Sequence, residues 1–259
     1  MKQMIPTALA LCLIFTMGAS HSDAGLTIYY NFEAIQGNSI LDESGNGING
    51  EINGNISLVG GQHGKAGKFE KESFLDLDGP SVPADKIPTD GFSLTAWVNV
   101  EAISDMAIFN ARASDETWIV HPEARGDGNY RWLLRGPGGA TIFDIRAGKN
   151  TPNRWVHFAG TYSRADGVGI LYIDGQEVGR ENARIADAPV AGDWGLGARV
   201  GYNIDNARPF TGLMDDFTLW NVALTPDEIV NMMDRGPITP TAVSPKGKLA
   251  TTWGTLKQF

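Results

Sequence analysis

Cysteine is nearly absent: Cys12 stands alone in 259 residues. A disulfide needs two, so stability must come from a packed core, with or without a bound metal. Basic side chains are also few, 21 Lys and Arg against 30 Asp and Glu, which leaves a formal charge of −9. Neutralising a phosphate backbone calls for clustered Lys and Arg, so no nucleic-acid partner is expected. Long apolar runs are missing after the first two dozen residues, and no later stretch approaches the ~18 residues of a membrane span. Histidine is scarce, and His63, His121 and His157 stand too far apart for a His-x-x-x-His zinc pair. A Gly-x-Ser-x-Gly nucleophile elbow and a Gly-x-x-x-x-Gly-Lys phosphate loop are missing as well.

What is present begins with Lys2 and the apolar run "MIPTALALCLIFTM", the pattern of a secretory leader. Small residues at Ser22 and Ala24 place the expected cut before Gly25, with "MGAS" ending at Ser20 as the alternative. Leu11 occupies the place before Cys12 where a lipid anchor needs a small residue. Secretion, to the extracellular space or the cell surface, is therefore expected.

From Leu26 to Trp220, short apolar segments are divided by Gly, Asn and Asp, the punctuation of an all-β chain. In "FSLTAWVNV", Phe92, Leu94, Ala96 and Val98 share one face, and Ser93, Thr95, Trp97 and Asn99 the other, which predicts a half-buried antiparallel strand. "LYIDGQEV" predicts a hairpin over 169–180 with Asp174-Gly175 in a type I′ turn. One helix is expected in "LTPDEIVNMMDRGP": Thr225 caps it, Pro226 starts it, Glu228 completes a capping box and Gly236-Pro237 stops it. Ile229 and Met232 or Met233 would pack it on a sheet. Residues 237–259 read as a flexible linker and a basic, Thr-rich tag. A single domain over 25–236 accounts for the rest.

"LDESGNGING" carries Asp42-x-Ser44-x-Asn46-Gly47, the opening of a calcium loop. It fails as an EF-hand, because position twelve holds Asn53 where a bidentate Glu belongs, and "GEINGNISLV" is no exit helix. A hard-oxygen site of another kind and a metal-free Asx turn both remain open.

The ordered set "YYNFE", "LDESGNGINGEI", "GKAGKFEKESFLDLDG", "FSLTAWVN", "RWVHFAGTYSRADGVGILYIDGQEV" and "FTGLMDDFTLWNVALTPDEI" resembles the laminin-G-like jelly rolls of the concanavalin A-like lectin and glucanase superfamily. The resemblance implies an all-β fold, an antiparallel two-sheet jelly-roll sandwich with one short C-terminal helix. It implies that Trp155, Phe158, Tyr162, Leu171 and Tyr172 fill the interior or its rim, and that Phe210, Phe217 and Leu219 close the last strand. It also implies a structural calcium joining first and last strands, held by Glu33, Asp42, Asn46 and Asp215. Asp216 is the less certain neighbour, since successive strand residues point apart.

The same superfamily includes glycoside hydrolases, whose laminarinase-like branch carries Glu-x-Asp-x-x-Glu; that run is missing here. Asp76 with Asp78, and Asp115 with Glu116, do not replace it. No catalytic residue is assigned. The expected function is a secreted binding module for a polysaccharide or glycoprotein glycan, the alternative being an adhesion or scaffold protein that contacts a cell-surface protein. Candidate ligand residues are Trp118, His121, Tyr130, Trp194, Tyr202 and Asn203, in the least regular segments. Arg125, Arg131 and Arg135, read as loop residues, suit an acidic glycan or a carboxylate-bearing partner. Arg125 to Asp127 spell "RGD", a weak adhesion signal.

Overall fold

Alternation is the rule that builds this molecule. In the computed structural model, which describes residues 25–237, Phe92, Leu94, Ala96 and Val98 are all fully buried on one face of the Gly91–Val100 strand. The leader reading for 1–24 and the tail reading from 238 onward lie outside the described residues.

Two antiparallel sheets share one core. The smaller, of eight strands, runs Gln176–Asn182, Val168–Ile173, Val156–Ser163, Gly91–Val100, Gly212–Trp220, Lys65–Phe69, Ile56–Gly60, with Leu26–Tyr30 also pairing Gly212–Trp220. The larger, of ten, runs Thr141–Lys149, Asn129–Arg135, Trp118–Ala124, Phe109–Arg112, Gly197–Val200, Phe74–Asp76, Gly50–Asn53, Ser39–Ile40, Ile35–Gln36, with Met106–Ala107 also on Trp118–Ala124. This is the expected jelly-roll sandwich.

Aromatic side chains from both sheets meet between them. Phe109 of the larger sheet meets Phe217 of the smaller with ring centroids 5.9 Å apart, and Trp132 meets Phe92 edge-on at 5.5 Å. The Trp132 indole N–H donates to the Thr161 carbonyl, so its polar atom is satisfied inside the core. Gly160 is required at this crossing, because a Cβ there would lie 2.5 Å from the Trp132 ring. Phe158, Tyr162, Leu171, Tyr172, Phe210, Phe217 and Leu219 are buried as expected, while Trp155 is only half-buried.

The half-buried expectation for Gly91–Val100 needs correction, since Ser93 and Thr95 on its other face are buried too. A second apolar layer covers them. The helix Pro226–Arg235 lays Ile229 and Met232 on Leu26, Tyr29, Tyr172, Trp220 and Leu224. The Ser93 hydroxyl donates to the Val222 carbonyl and accepts from the Leu224 N–H, which pins the chain entering the helix. The capping box forms as read: Glu228 N–H donates to the Thr225 hydroxyl, and the Glu228 carboxylate accepts from Thr225 N–H. Asp174 and Gly175 both take positive φ, 50° and 73°, the type I′ signature, between Val168–Ile173 and Gln176–Asn182.

One segment read as irregular is a strand. Trp118–Ala124 lies deep in the larger sheet despite Pro122, which cannot donate to a ladder. The neighbouring edge breaks there, between Met106–Ala107 and Phe109–Arg112, and Ile108 N–H donates to the Pro122 carbonyl. The strands between Ile35 and Phe69 were likewise not separately expected, beyond the absence of an exit helix.

Candidate functional site

Three adjacent strands of the larger sheet build the site by the same alternation. Tyr130, Trp132 and Leu134 on Asn129–Arg135 turn into the core, so Arg131, Leu133 and Arg135 turn outward. Opposite Leu133 and Arg131 stand His121 and Glu123 on one side, and Asp144 and Arg146 on the other. Arg131 and Arg135 are therefore strand residues, not loop residues. The hairpin between Trp118–Ala124 and Asn129–Arg135 closes with Arg125 N–H to the Asn129 carbonyl and Gly128 at φ 85°, a left-handed position that favours glycine.

Glu123 is the hub. Although fully buried, its carboxylate accepts from His121 Nδ1 at 3.1 Å, Arg208 at 2.8 Å, Arg125 at 2.7 Å and Arg131 at 3.4 Å. Burial pushes its pKa up, but the His121 hydrogen bond and the arginine charges outweigh this and hold it down at about 2. His121 is buried, which lowers its pKa and keeps the ring neutral. An ionised carboxylate only accepts, so Nδ1 carries the proton and Nε2 accepts from Arg135 at 3.3 Å.

Over this hub lies a groove of about 380 Å³. Trp118, His121 and Asn203 line it together with five arginines, Arg125, Arg131, Arg135, Arg146 and Arg208, and one carboxylate, Asp205. Arg112 sits over one face of the half-exposed Trp118 ring at 4.3 Å, and Arg135 donates to the Trp118 main-chain carbonyl at 2.9 Å. Asn203 is 2 % exposed, and its Oδ1 has no hydrogen-bond partner among the described residues.

Of the six aromatic and polar candidates, Trp118, His121 and Asn203 thus meet in one place. Tyr130 and Trp194 do not: both are buried in the core, against Phe158 and Phe109 respectively. Tyr202 is buried beneath the adjoining loop, on Phe74, and its hydroxyl donates to the Asn206 carbonyl. The arginines of the groove were only partly singled out: Arg146 and Arg208 were missed, although "DIRA" alternates acid and base on one strand face. The "RGD" arginine is engaged, since Arg125 binds Glu123 and lies 3.3 Å from Asp105.

The expected calcium residues fall into two groups. Asp42 accepts four hydrogen bonds, from the N–H groups of Tyr29, Ser44 and Ile48 and from the Ser44 hydroxyl. Asn46 turns its amide nitrogen to the Leu26 and Thr27 carbonyls. That is an Asx turn knitted to the first strand. Glu33, Asp215 and Asp216 stand elsewhere, around the turn at 61–65: Glu33 accepts from Lys65 N–H, and Asp215 from the N–H groups of Gln62 and His63. Asp216 accepts from the Tyr29 hydroxyl at 2.7 Å and bonds His63 Nδ1 at 2.6 Å. Asp215 and Asp216 both face this turn because a bulge at Asp216, φ 46°, breaks the alternation that separates strand neighbours.

As the side chains stand, these five do not fit one calcium ion; no cluster of three or more acids, His or Cys among the described residues does. First and last strands are joined by the Tyr29–Asp216 hydrogen bond and by their backbone ladder. We expect Asp42→Ala to cost about 2–3 kcal/mol, since it strands three backbone donors. Adding calcium or a chelator should leave the wild-type melting temperature unchanged. A rise of several degrees with millimolar calcium would mean that the acids regroup around an ion.

Comparisons with known proteins follow the same lines. A laminin-G family model, described as the concanavalin A-like lectin/glucanases superfamily, matches residues 78–230. Among curated proteins, pappalysin-1 of Mus musculus is 26 % identical over 197 residues, 67 % of this chain. The chain spans only 11 % of the length of that relative. Among solved structures, domain 4 of AbnA, a GH43 extracellular arabinanase from Geobacillus stearothermophilus in complex with arabinotriose, superposes with a TM-score of 0.58. Its identity is 23 %, over 82 % of this chain and 100 % of that one. The binding domain of botulinum neurotoxin serotype G gives 0.60 at 13 % identity, over 80 % of this chain and 50 % of that one. At these identities the likeness is one of fold. No helix among the described residues is long and apolar enough to cross a membrane.

Proposed function

We propose that this chain, which belongs to the concanavalin A-like lectin/glucanase superfamily, is an exported, non-catalytic module that binds carbohydrate in the groove over Glu123. The carrying observation is the groove's composition: a half-exposed indole beside guanidinium and amide groups that converge on one hollow. An indole offers a flat apolar surface to a sugar ring, and the surrounding guanidinium donors match hydroxyls. The solved domain 4 of the arabinanase, with its bound arabinotriose, supports a sugar ligand for a domain of this shape.

The two carboxylates packed under the groove argue for binding without hydrolysis. Glycoside cleavage needs a carboxylic acid with a raised pKa to protonate the leaving oxygen. Glu123 is held ionised at about 2, and Asp144, though partly buried, is lowered by Arg131 and Arg146. Neither is in the state that acid requires, and Asp205, the one carboxylate of the lining, is exposed and accepts from Ala207 N–H. The proposed recognition also uses no metal.

A glycan array screened with the purified chain, once with calcium and once with chelator, tests this reading. Binding is expected in both conditions. Trp118→Ala should weaken it about tenfold, ~1.4 kcal/mol, with the melting temperature preserved. A silent array from folded protein would remove the carbohydrate reading.

A further inference from the structure

The groove holds more positive charge than its own acids answer. Four of its five arginines have carboxylate partners: Arg125 and Arg208 on Glu123, Arg131 on Asp144 and Glu123, and Arg146 on Asp144. Arg135 has none among the described residues. Its hydrogen bonds all leave from Nη1, to the Trp118 carbonyl at 2.9 Å and to His121 Nε2 at 3.3 Å, and both acceptors are neutral. Burial and then the neighbouring Arg131 charge disfavour its charged form, and Asp144 and Glu123 offset this only from beyond ion-pair distance. A partly buried guanidinium without a contacting counterion is costly, and a ligand that brings one recovers part of that cost.

Geometry says which counterion. With Nη1 committed, the Nε and Nη2 edge of Arg135 makes no hydrogen bond among the described residues, and this edge is a planar two-pronged donor. Such a fork matches the two oxygens of a carboxylate. His121 cannot supply the charge itself, because its one proton is turned to Glu123. Trp118 and Arg135 lie at the same end of their strands, and Asp205, on the loop after Gly197–Val200, has its carboxylate engaged by Ala207 N–H. The cation that lacks an ion-pair partner thus stands beside the indole residue, bonded to its carbonyl.

We propose that the ligand is an acidic glycan, a polysaccharide of carboxylate-bearing sugars, whose carboxylate is held side-on by the Nε and Nη2 of Arg135 while its ring lies against Trp118. This rests on the carbohydrate reading above and narrows it to a chemical class.

The test is calorimetric titration of the full chain with short oligosaccharides of galacturonate, glucuronate, mannuronate and sialate. Each is run beside its carboxyl-reduced counterpart and a sulfated oligosaccharide. At least one carboxylated ligand should bind, and carboxyl reduction should weaken it thirtyfold or more. Arg135→Gln should reproduce that loss, whereas Arg135→Lys, which keeps the charge but not the fork, should lose about tenfold. If Arg135→Gln melts far below wild type, the wild-type comparison of carboxylated and reduced sugars decides by itself. Equal or tighter binding of the sulfated ligand would overturn the carboxylate assignment. Neutral sugars bound in a Trp118-dependent way, with no preference for acid, would overturn this proposal and leave the carbohydrate reading standing. No binding to any sugar would remove both.

Discussion

Replacing Glu123 with alanine should destabilise the protein by about 3–5 kcal/mol, the scale at which breaking a buried ion pair leaves charges uncompensated. The wild-type carboxylate is fully buried and neutralises Arg125, Arg131 and Arg208 while fixing the His121 ring. Without it, three guanidinium groups from a strand end, a strand and a distant loop face one another with only Asp144 and Asp105 nearby. Arg208 is the only one of the three contributed by the segment after Gly197–Val200, so its release removes one tie on the loop that carries Asn203 and Asp205, which Ile204 N–H on Asn110 Oδ1 and Arg199 on the Asn203 carbonyl still hold. Urea unfolding should show the loss directly, and glycan binding should vanish along with it. Glu123→Gln keeps the shape and removes the charge, and it should lie between wild type and alanine. A loss below ~1 kcal/mol for alanine would mean that the arginines find other partners and that Glu123 is not the hub.

The features of this fold that were legible in advance are those written locally. The alternation of Phe92 to Val98, the Asp174-Gly175 turn and the Thr225 to Glu228 capping box each depend on residues a few positions apart, and each stands as read. The groove depends on which strands become neighbours. His121 meets Leu133, and Leu133 meets Asp144, by ladder pairing that no single segment encodes. Pro122 also disguised the strand that carries Glu123, because the break in the adjoining edge that accommodates it lies at Ile108.

Part of the error was avoidable. "NYRWLLR" puts Tyr130 in phase with Trp132 and Leu134, so its burial follows from the alternation of that strand. Trp194 offers no such clue, since it sits outside any strand and reaches the core from a loop. The bulge that aims both Asp215 and Asp216 at His63 is likewise silent in the sequence, because it places a non-glycine residue at positive φ.

Acid should expose a second weak point, on the smaller sheet. His157 is 2 % exposed, packs edge-on to Trp97 at 5.2 Å, and leaves Nδ1 without a partner. Burial, and then the charge of His63, lower its pKa from 6.5 to about 3. The folded state therefore refuses a proton that the unfolded chain accepts. The resulting stability is fully present above pH 6.5 and is lost as the pH falls toward 3, by about 2–3 kcal/mol at pH 4.5. Asp215 works in the opposite sense: burial chiefly raises its pKa from 3.8 to about 6, so the folded state takes its proton first and gains stability over that window. The two effects partly offset each other in the wild type, which makes a substitution the cleaner readout. His157→Phe keeps a ring against Trp97 and removes the titrating group. Compared with wild type, it should retain about 2–3 kcal/mol more of its pH 7 stability when moved to pH 4.5, measured by urea unfolding at both values. Parallel losses in the two proteins would show that His157 takes up a proton in place, through an opening of the packing between Trp97 and His63.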